Sequence, residues 1–306
     1  MKRLLIIKHG SLGDIVFALP VIHSIVHKYN KDNIDIITEK KYFSFLKRAN
    51  FFKNIIEDNR SNNIILLIKL LRTLINNKYD IIIDLQNSKR TSYYHFIFRI
   101  FGKSLISSSR KFSHFRYIIP VQGKETATQG LFNQIKLLKI KEIKKVNYNW
   151  LNEDLDHWCN KKIVLFITGV SMKGQYKQWD LIKFGQLAKY FENKNFYICV
   201  VGNKQDRDST FYIRRNCKNI IDYIDKSPPE IIYSIAKKSK LIVTNDTGPG
   251  HIASLSGTKT LWFLNDNKIT QANIHVSEHN YKLISDSVKN ISTKKAINFI
   301  ENNNLL

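Results

Sequence analysis

Short apolar runs alternate with stretches of helical apolar spacing along nearly the whole chain, and this alternation limits the fold more than any other feature. A short continuous apolar run bounded by polar turns suits a strand buried on both faces of a parallel sheet. Parallel strands need long crossovers, usually helical, so the pattern specifies an α/β chain. Arg3–Lys8 reads as the first strand, and Ile15 to Tyr29 has helical spacing, with Pro20 predicting a kink or early break. Strands follow at Ile34–Thr38 and Asn54–Glu57, then a helix at Ile64–Ile75 and a strand at Tyr79–Leu85. A helix at Thr91–Phe101, a strand at Ser104–Ser107 and a helix at Asn133–Leu138 close this series.

Lys141 to Lys161 is charged, rich in Asn and poor in periodicity, and the domain boundary is placed there, giving domains 1–155 and 156–306. A chain of 306 residues suits two cores better than one. The second series has strands at Ile163–Thr168, Phe196–Gly202, Leu241–Thr244 and Thr260–Leu264. Helices are expected at Leu181–Phe191, from Pro228-Pro229 to Ala236, at Ile252–Leu255, and from a Thr293 cap through Ile300. Two such series imply two Rossmann-like domains facing a cleft, with ligands at the C-terminal ends of the strands.

The formal charge of +24 favours anionic partners. The basic residues spread over the whole chain without a long Lys/Arg run, which argues for a generally basic surface and against a dedicated nucleic-acid arm. Cys159, Cys199 and Cys217 lack metal-ligand spacing, and Cys199 lies in an apolar strand pattern as a core residue. A reducing, cytoplasmic setting is expected. The N-terminal apolar run is too short for a signal peptide, and no run reaches the ~20 residues of a membrane span. The expectation is a soluble or peripheral protein.

The polar residues cluster where the strands end. Leu241 to Gly257 reads LIVTNDTGPGHIASLSG: a strand, a glycine turn and a helix start, which together make an anion site from free N–H groups and a helix dipole. Asp246, Thr247 and His251 add side-chain donors and acceptors; the alternative is a polar loop with Thr as a helix cap. Asp14, near a helix start, is either a cap or a general base. Lys177 is either a solvated loop charge or a phosphate ligand, and Trp179 a packing anchor. Asp206 either caps the next helix or meets a ribose hydroxyl. Lys89 and Arg90 either bind an anionic acceptor or open a solvated helix. No metal motif, G-x-S-x-G elbow or P-loop is present.

Several of these stretches together resemble the ADP-heptose:lipopolysaccharide heptosyltransferase family, glycosyltransferase family nine. KHGSLGDIVFALP is similar to that family's K-x-S-x-L-G-D-x-x-x-x-x-P start, with Gly10 replacing a small polar residue. YDIIIDLQNSKRTS resembles its Y-D-x-x-I-D-x-Q-G segment, with Asn87 for Gly. Lys177-Gln178-Trp179 resembles K-x-W-P, with Asp180 for Pro, and Asp246 to His251 resembles D-T-G-x-x-H.

The resemblance implies a GT-B architecture and an inverting, metal-independent transfer from a nucleotide-sugar, ADP-heptose by default, with no cofactor. It implies Asp14 as base, Lys177 on the donor phosphates, and Ser171, Asp206, Asp246, Thr247, Gly248 and His251 on the donor. Ser11, Gly13, Gln86, Lys89 and Arg90 fall on the acceptor side. The acceptor implied is an anionic glycolipid, the lipopolysaccharide core, at the inner face of the cytoplasmic membrane, with no specific nucleic acid. The departures at Asn87 and Asp180 motivate an alternative: a non-catalytic or differently specific nucleotide-sugar-binding module of the same fold.

Overall fold

The computed structural model describes residues 2–61, 63–121, 124–143, 146–155, 161–274 and 277–306, apart from the Ile269 side chain. Cys159 lies outside the described residues. The chain divides into two compact units, Met1–Asn147 and Tyr148–Leu306.

The first unit runs β1 (Leu4–Ile7), α1 (Leu12–Tyr29), β2 (Ile34–Thr38), α2 (Phe43–Ala49), β3 (Asn54–Glu57), α3 (Ile64–Asn76), β4 (Ile81–Asp84), α4 (Lys89–Phe101), β5 (Leu105–Ser108), β6 (Phe115–Arg116) and α5 (Ala127–Lys136). Its six strands are all parallel, in the order β3-β2-β1-β4-β5-β6. The central strands β1, β2 and β4 are buried along their whole length, which is why they read as near-continuous isoleucine and leucine. Leu71 and Leu74 of α3 and Tyr94 and Phe98 of α4 share one core with Leu5, Ile7 and Ile82 of the sheet.

The second unit runs β7 (Ile163–Ile167), α6 (Leu181–Asn193), β8 (Tyr197–Gly202), α7 (Arg207–Arg214), β9 (Ile220–Ile224), α8 (Pro229–Lys238), β10 (Leu241–Asn245), α9 (Gly248–Ser254), β11 (Thr260–Asn265), α10 (Lys268–Asn273), β12 (Asn280–Ser285) and α11 (Thr293–Asn302). Its strands are also parallel, in the order β12-β11-β10-β7-β8-β9. Both units therefore wind alike: from the first strand outward to the third, then back past the first to the fourth, fifth and sixth. The winding reverses between β1 and β4, and between β7 and β10. In open α/β sheets a crevice forms at the strand C-termini at this point.

Four expectations are corrected. Pro20 does not break α1, which runs unbroken from Leu12 to Tyr29. Leu19, Val21 and Ile22 are fully buried around it, and their packing outweighs the missing N–H. The first series closes earlier, with Thr126 capping α5, and Ser292, not Thr293, caps α11. The second unit takes in the segment up to Leu155 that the sequence assigned to the first. Leu151 and Leu155 are buried, Glu153 N–H donates to Ser234 Oγ at 2.6 Å, and Lys238 Nζ donates to the Leu155 carbonyl at 2.8 Å, so α8 holds this segment.

Trp179 anchors the second core, as its position predicts. It is fully buried, its ring centroid lies 4.8 Å from that of Phe184 and 4.2 Å from that of Phe263, and Nε1 donates to the Ile291 carbonyl at 2.8 Å. Trp179→Ala leaves a large cavity and is expected to cost about 3–5 kcal/mol in denaturant unfolding followed by far-UV circular dichroism. A loss below about 1 kcal/mol would contradict the anchor role.

Candidate functional site

In the second unit, the end of β10 supplies the central residues. Asn245 is buried; its Oδ1 accepts Trp179 N–H at 3.0 Å and its Nδ2 donates to the Thr168 carbonyl at 2.8 Å. Both ends of the loop after β7 are thus tied to one amide at the end of β10. The next residue, Asp246, takes Lys177 Nζ on Oδ2 at 2.6 Å and faces His251 Nε2 from Oδ1 at 3.2 Å. Burial would push the Asp246 carboxyl up, but His251 and Lys177 outweigh it and hold it below the usual carboxylate range. Asp246 therefore orients a cation: it fixes Lys177, whose ammonium has three donors, at a partly open position. His251 lies over Trp262, ring centroids 5.1 Å apart.

The loop into α9 keeps its donors. Thr247 stands at the helix N-cap but its hydroxyl makes no cap bond, so the bland role as a capping threonine is not what the structure has. Gly248 and Gly250 bracket Pro249 in the first turn. A Cβ on Gly250 would lie 2.6 Å from Thr244 Oγ1 and 2.9 Å from the Trp262 ring, so only glycine lets α9 sit this close to the sheet. Asp206 follows β8. Its Oδ2 accepts Asn203 N–H at 2.8 Å, and its carboxylate lies where a Cβ on Gly169 would stand. Burial raises the Asp206 carboxyl against the effect of the Asn203 N–H. Ser171 is exposed at the start of the turn Met172–Lys177. Asp180, the departure from proline, caps α6 by accepting Ile182 N–H at 2.8 Å.

In the first unit, Ser11 caps α1 and Asp14 closes a capping box with it. Asp14 Oδ2 accepts Ser11 N–H at 2.7 Å and Ser11 Oγ–H at 2.8 Å; among the described residues nothing bonds to Oδ1. Gly10 has φ +107°, and a Cβ there would lie 2.6 Å from Asp14 Oδ2. Gln86 joins this loop by accepting His9 N–H on Oε1 at 3.0 Å. Gly13 is buried in the first turn of α1. Lys8, which the sequence left unassigned, is buried and donates to the Leu85 carbonyl at 3.1 Å. Burial pulls its ammonium below the usual lysine range, while Asp14 and Asp84 push the other way.

The two basic acceptor candidates part company. Lys89 is exposed at the start of α4. Arg90 turns inward: Nε donates to Tyr94 Oη at 2.8 Å, Nη1 to the Ser61 carbonyl at 3.1 Å, and Nη2 lies 3.5 Å from Asp58 Oδ1. Asp58 also takes Tyr94 Oη–H at 2.6 Å and faces His9 Nε2 at 3.2 Å. A second buried pair, Asp84 Oδ2 and His95 Nε2 at 3.1 Å, lies behind the β4 loop. Neither pair was found in the sequence, since each joins separate elements. Asn87 has φ +53°, the left-handed region that glycine adopts freely and Asn tolerates. Its side chain accepts Ser109 N–H at 2.7 Å and donates to Gln134 Oε1 at 2.8 Å, fixing the following loop.

Among the described residues no group of three or more His, Cys, Asp or Glu is placed to hold a metal ion.

The family model of glycosyltransferase family 9 (heptosyltransferase) matches residues 67–262. No curated protein sequence matches the chain. Among solved structures, the chain is similar to a glycosyl transferase family 9 protein from Veillonella parvula: TM-score 0.79, 16% identity, covering 99% of this chain and 97% of that one. The E. coli ADP-heptose lps heptosyltransferase II aligns with TM-score 0.76 and 14% identity over 98% of both chains. E. coli heptosyltransferase WaaC, solved with ADP-2-deoxy-2-fluoro heptose, aligns with TM-score 0.76 and 14% identity over 98% of this chain and 99% of that one. These likenesses establish a shared fold of two α/β units, the GT-B architecture.

The buried Asp58 network gives a pH signature. Burial pushes its carboxyl up, but hydrogen bonds from His9, Tyr94 and the Arg60 N–H prevail and lower it from 3.8 to about 2. The folded value is the depressed one, so this stabilisation is full above about pH 4 and is lost as pH falls toward 2. Tyr94→Phe removes one donor, so the carboxyl is expected to titrate higher and the acid loss of stability to begin at higher pH. The carboxyl resonance of Asp58, followed by NMR in both proteins, checks this; identical titrations would refute it.

Proposed function

The chain belongs to glycosyltransferase family 9, and from that premise we propose that it moves a heptose from an ADP-sugar to a lipopolysaccharide core acceptor, inverting the anomeric centre without a metal ion. The observation that carries this reading is Lys177, held 2.6 Å from an Asp246 that His251 holds in turn, at the reversal point of the second sheet. Transfer from a sugar diphosphate builds negative charge on the departing phosphate. A cation fixed in advance stabilises that charge without reorganising during the reaction. Lys177 supplies it, aided by the N–H groups of the Thr247–Gly248 loop. Asp206 and Ser171 stand on neighbouring loops as donor contacts.

Asp14 is the base. Ser11 commits Oδ2, and Oδ1 receives the proton from the acceptor hydroxyl as its oxygen attacks the anomeric carbon. The same contacts to Ser11 hold the carboxylate in one orientation. On the acceptor side, exposed Lys89 is the better anion ligand, since Arg90 is spent on Asp58, Tyr94 and Ser61. Ser11 and Gln86 shape the loop, with Gly13 buried in the first turn of α1. The departures at Asn87 and Asp180 each have a local structural role, so neither favours a degenerate, non-catalytic module. No helix among the described residues is long and apolar enough to cross a membrane. The expected working place is the inner face of the cytoplasmic membrane, as a peripheral protein.

Steady-state transfer from ADP-heptose to a heptose-deficient core acceptor tests the assignment. Asp14→Ala is expected to lower kcat by about 10²–10⁴ with the donor KM little changed. Lys177→Ala should lower it by about 10²–10³. Activity should survive EDTA. Full turnover by Asp14→Ala would sink the base assignment, and loss of activity in EDTA restored by a divalent cation would sink the metal-independent mechanism.

A further inference from the structure

Helices α3 and α4 lie side by side over one face of the first sheet and share its core. Their inward faces are accounted for by that core. Their outward faces should then be polar, and they are not. On α3, Ile65 and Ile68 are 72% and 58% exposed, with Lys69 and Arg72 at the i+4 and i+7 positions of the same stripe. On α4, Tyr93 and Ile100 are 68% and 54% exposed, with Phe96 between them and Lys89 one turn before Tyr93. Phe96 is extended by Phe112 from the β5–β6 loop, ring centroids 5.3 Å apart.

The stretch that carries this apolar surface is strongly basic. From Arg60 to Val121 there are eleven Lys or Arg residues, and the only acids are Asp80 and Asp84. Asp84 is buried against His95, and Asp80 accepts the Arg3 N–H ahead of β1. Apolar and aromatic side chains with Lys69, Arg72 and Lys89 beside them, the one exposed acid of the stretch, Asp80, lying ahead of β4 at the opposite edge of the sheet, match an anionic bilayer surface, with its acyl boundary and its phosphate headgroups. The same charge disfavours a second copy, because two such faces would repel.

We propose that the outward stripes of α3 and α4 dock the protein on anionic bilayers, Ile65, Ile68, Phe96 and Ile100 entering the acyl boundary and Lys69, Arg72 and Lys89 meeting headgroup phosphates. Both helices start at the C-terminal edge of the sheet, and Arg90 bonds to the Ser61 carbonyl just ahead of α3. Docking would therefore bring the headgroup layer to the edge that carries Asp14. That consequence rests on the acceptor reading above; the docking itself does not.

Sedimentation of the full chain with phosphatidylcholine vesicles, with and without phosphatidylglycerol and free of any glycan, tests the face alone. Binding is expected to anionic vesicles, to weaken with salt, and to fall about tenfold or more in an Ile65→Ser/Ile68→Ser/Phe96→Ser variant. A Lys69→Glu/Arg72→Glu variant should lose the anionic preference, with both variants melting as the parent does. Variants that bind like the parent would overturn the proposal. So would a parent dimer, seen by light scattering, that the serine variant abolishes. If docking holds while Asp14→Ala stays active, the catalytic reading alone fails.

Discussion

A single buried amide organises the second unit. Asn245 ends β10, accepts from the Trp179 backbone and donates to the Thr168 carbonyl, so the loops after β7 and β10 and the start of α6 are set by one side chain. A buried amide with its partners in place is directional in a way apolar packing is not. Lys177 can meet Asp246 because Trp179, two residues on, is fixed both in the core and to Asn245. Position, more than chemical type, separates this lysine from the many solvated ones.

The first unit uses the same device in a different chemical form. Its fourth strand also ends in a buried polar residue, Asp84, whose Oδ1 takes the N–H groups of Gln86 and Asn87 while Oδ2 faces His95. In each unit the strand that follows the reversal thus carries the group that shapes the loop beside it. An amide serves where a backbone donor and acceptor must both be met. A carboxylate serves where backbone donors converge and a histidine can balance the charge.

Central strands were legible in the sequence because burial on both faces demands continuous apolar runs. Of the four edge strands β3 was read and β6, β9 and β12 were not: β9 and β12 are mostly half-buried and mix Asp, Lys and Asn with apolar residues, so neither run stands out. The short helices α2, α7 and α10 escaped because they span few turns and show little period. Of the candidate residues, Asp14 in the first unit and Lys177, Asp246 and His251 in the second were visible as residue types in strand-end loops. The bond between Lys177 and Asp246 was not, since it spans 69 positions. Arg90 shows the limit most clearly: beside Lys89 in sequence it reads as a second solvated cation, yet one step along a helix turns it toward Asp58.

Gly250 has a bearing on how chains of this kind diverge. Its contact with Thr244 and Trp262 leaves no room for a side chain, and the loop ahead of it is held from below by Asn245. Substitution there would lift α9 off the sheet, whatever the new side chain. The turn Met172–Lys177 is different: Met172 and Tyr176 are exposed, and few of its side chains are committed to the core. The exposed side chains of that turn, Met172 and Tyr176, can change without disturbing the sheet, whereas Gly250 cannot.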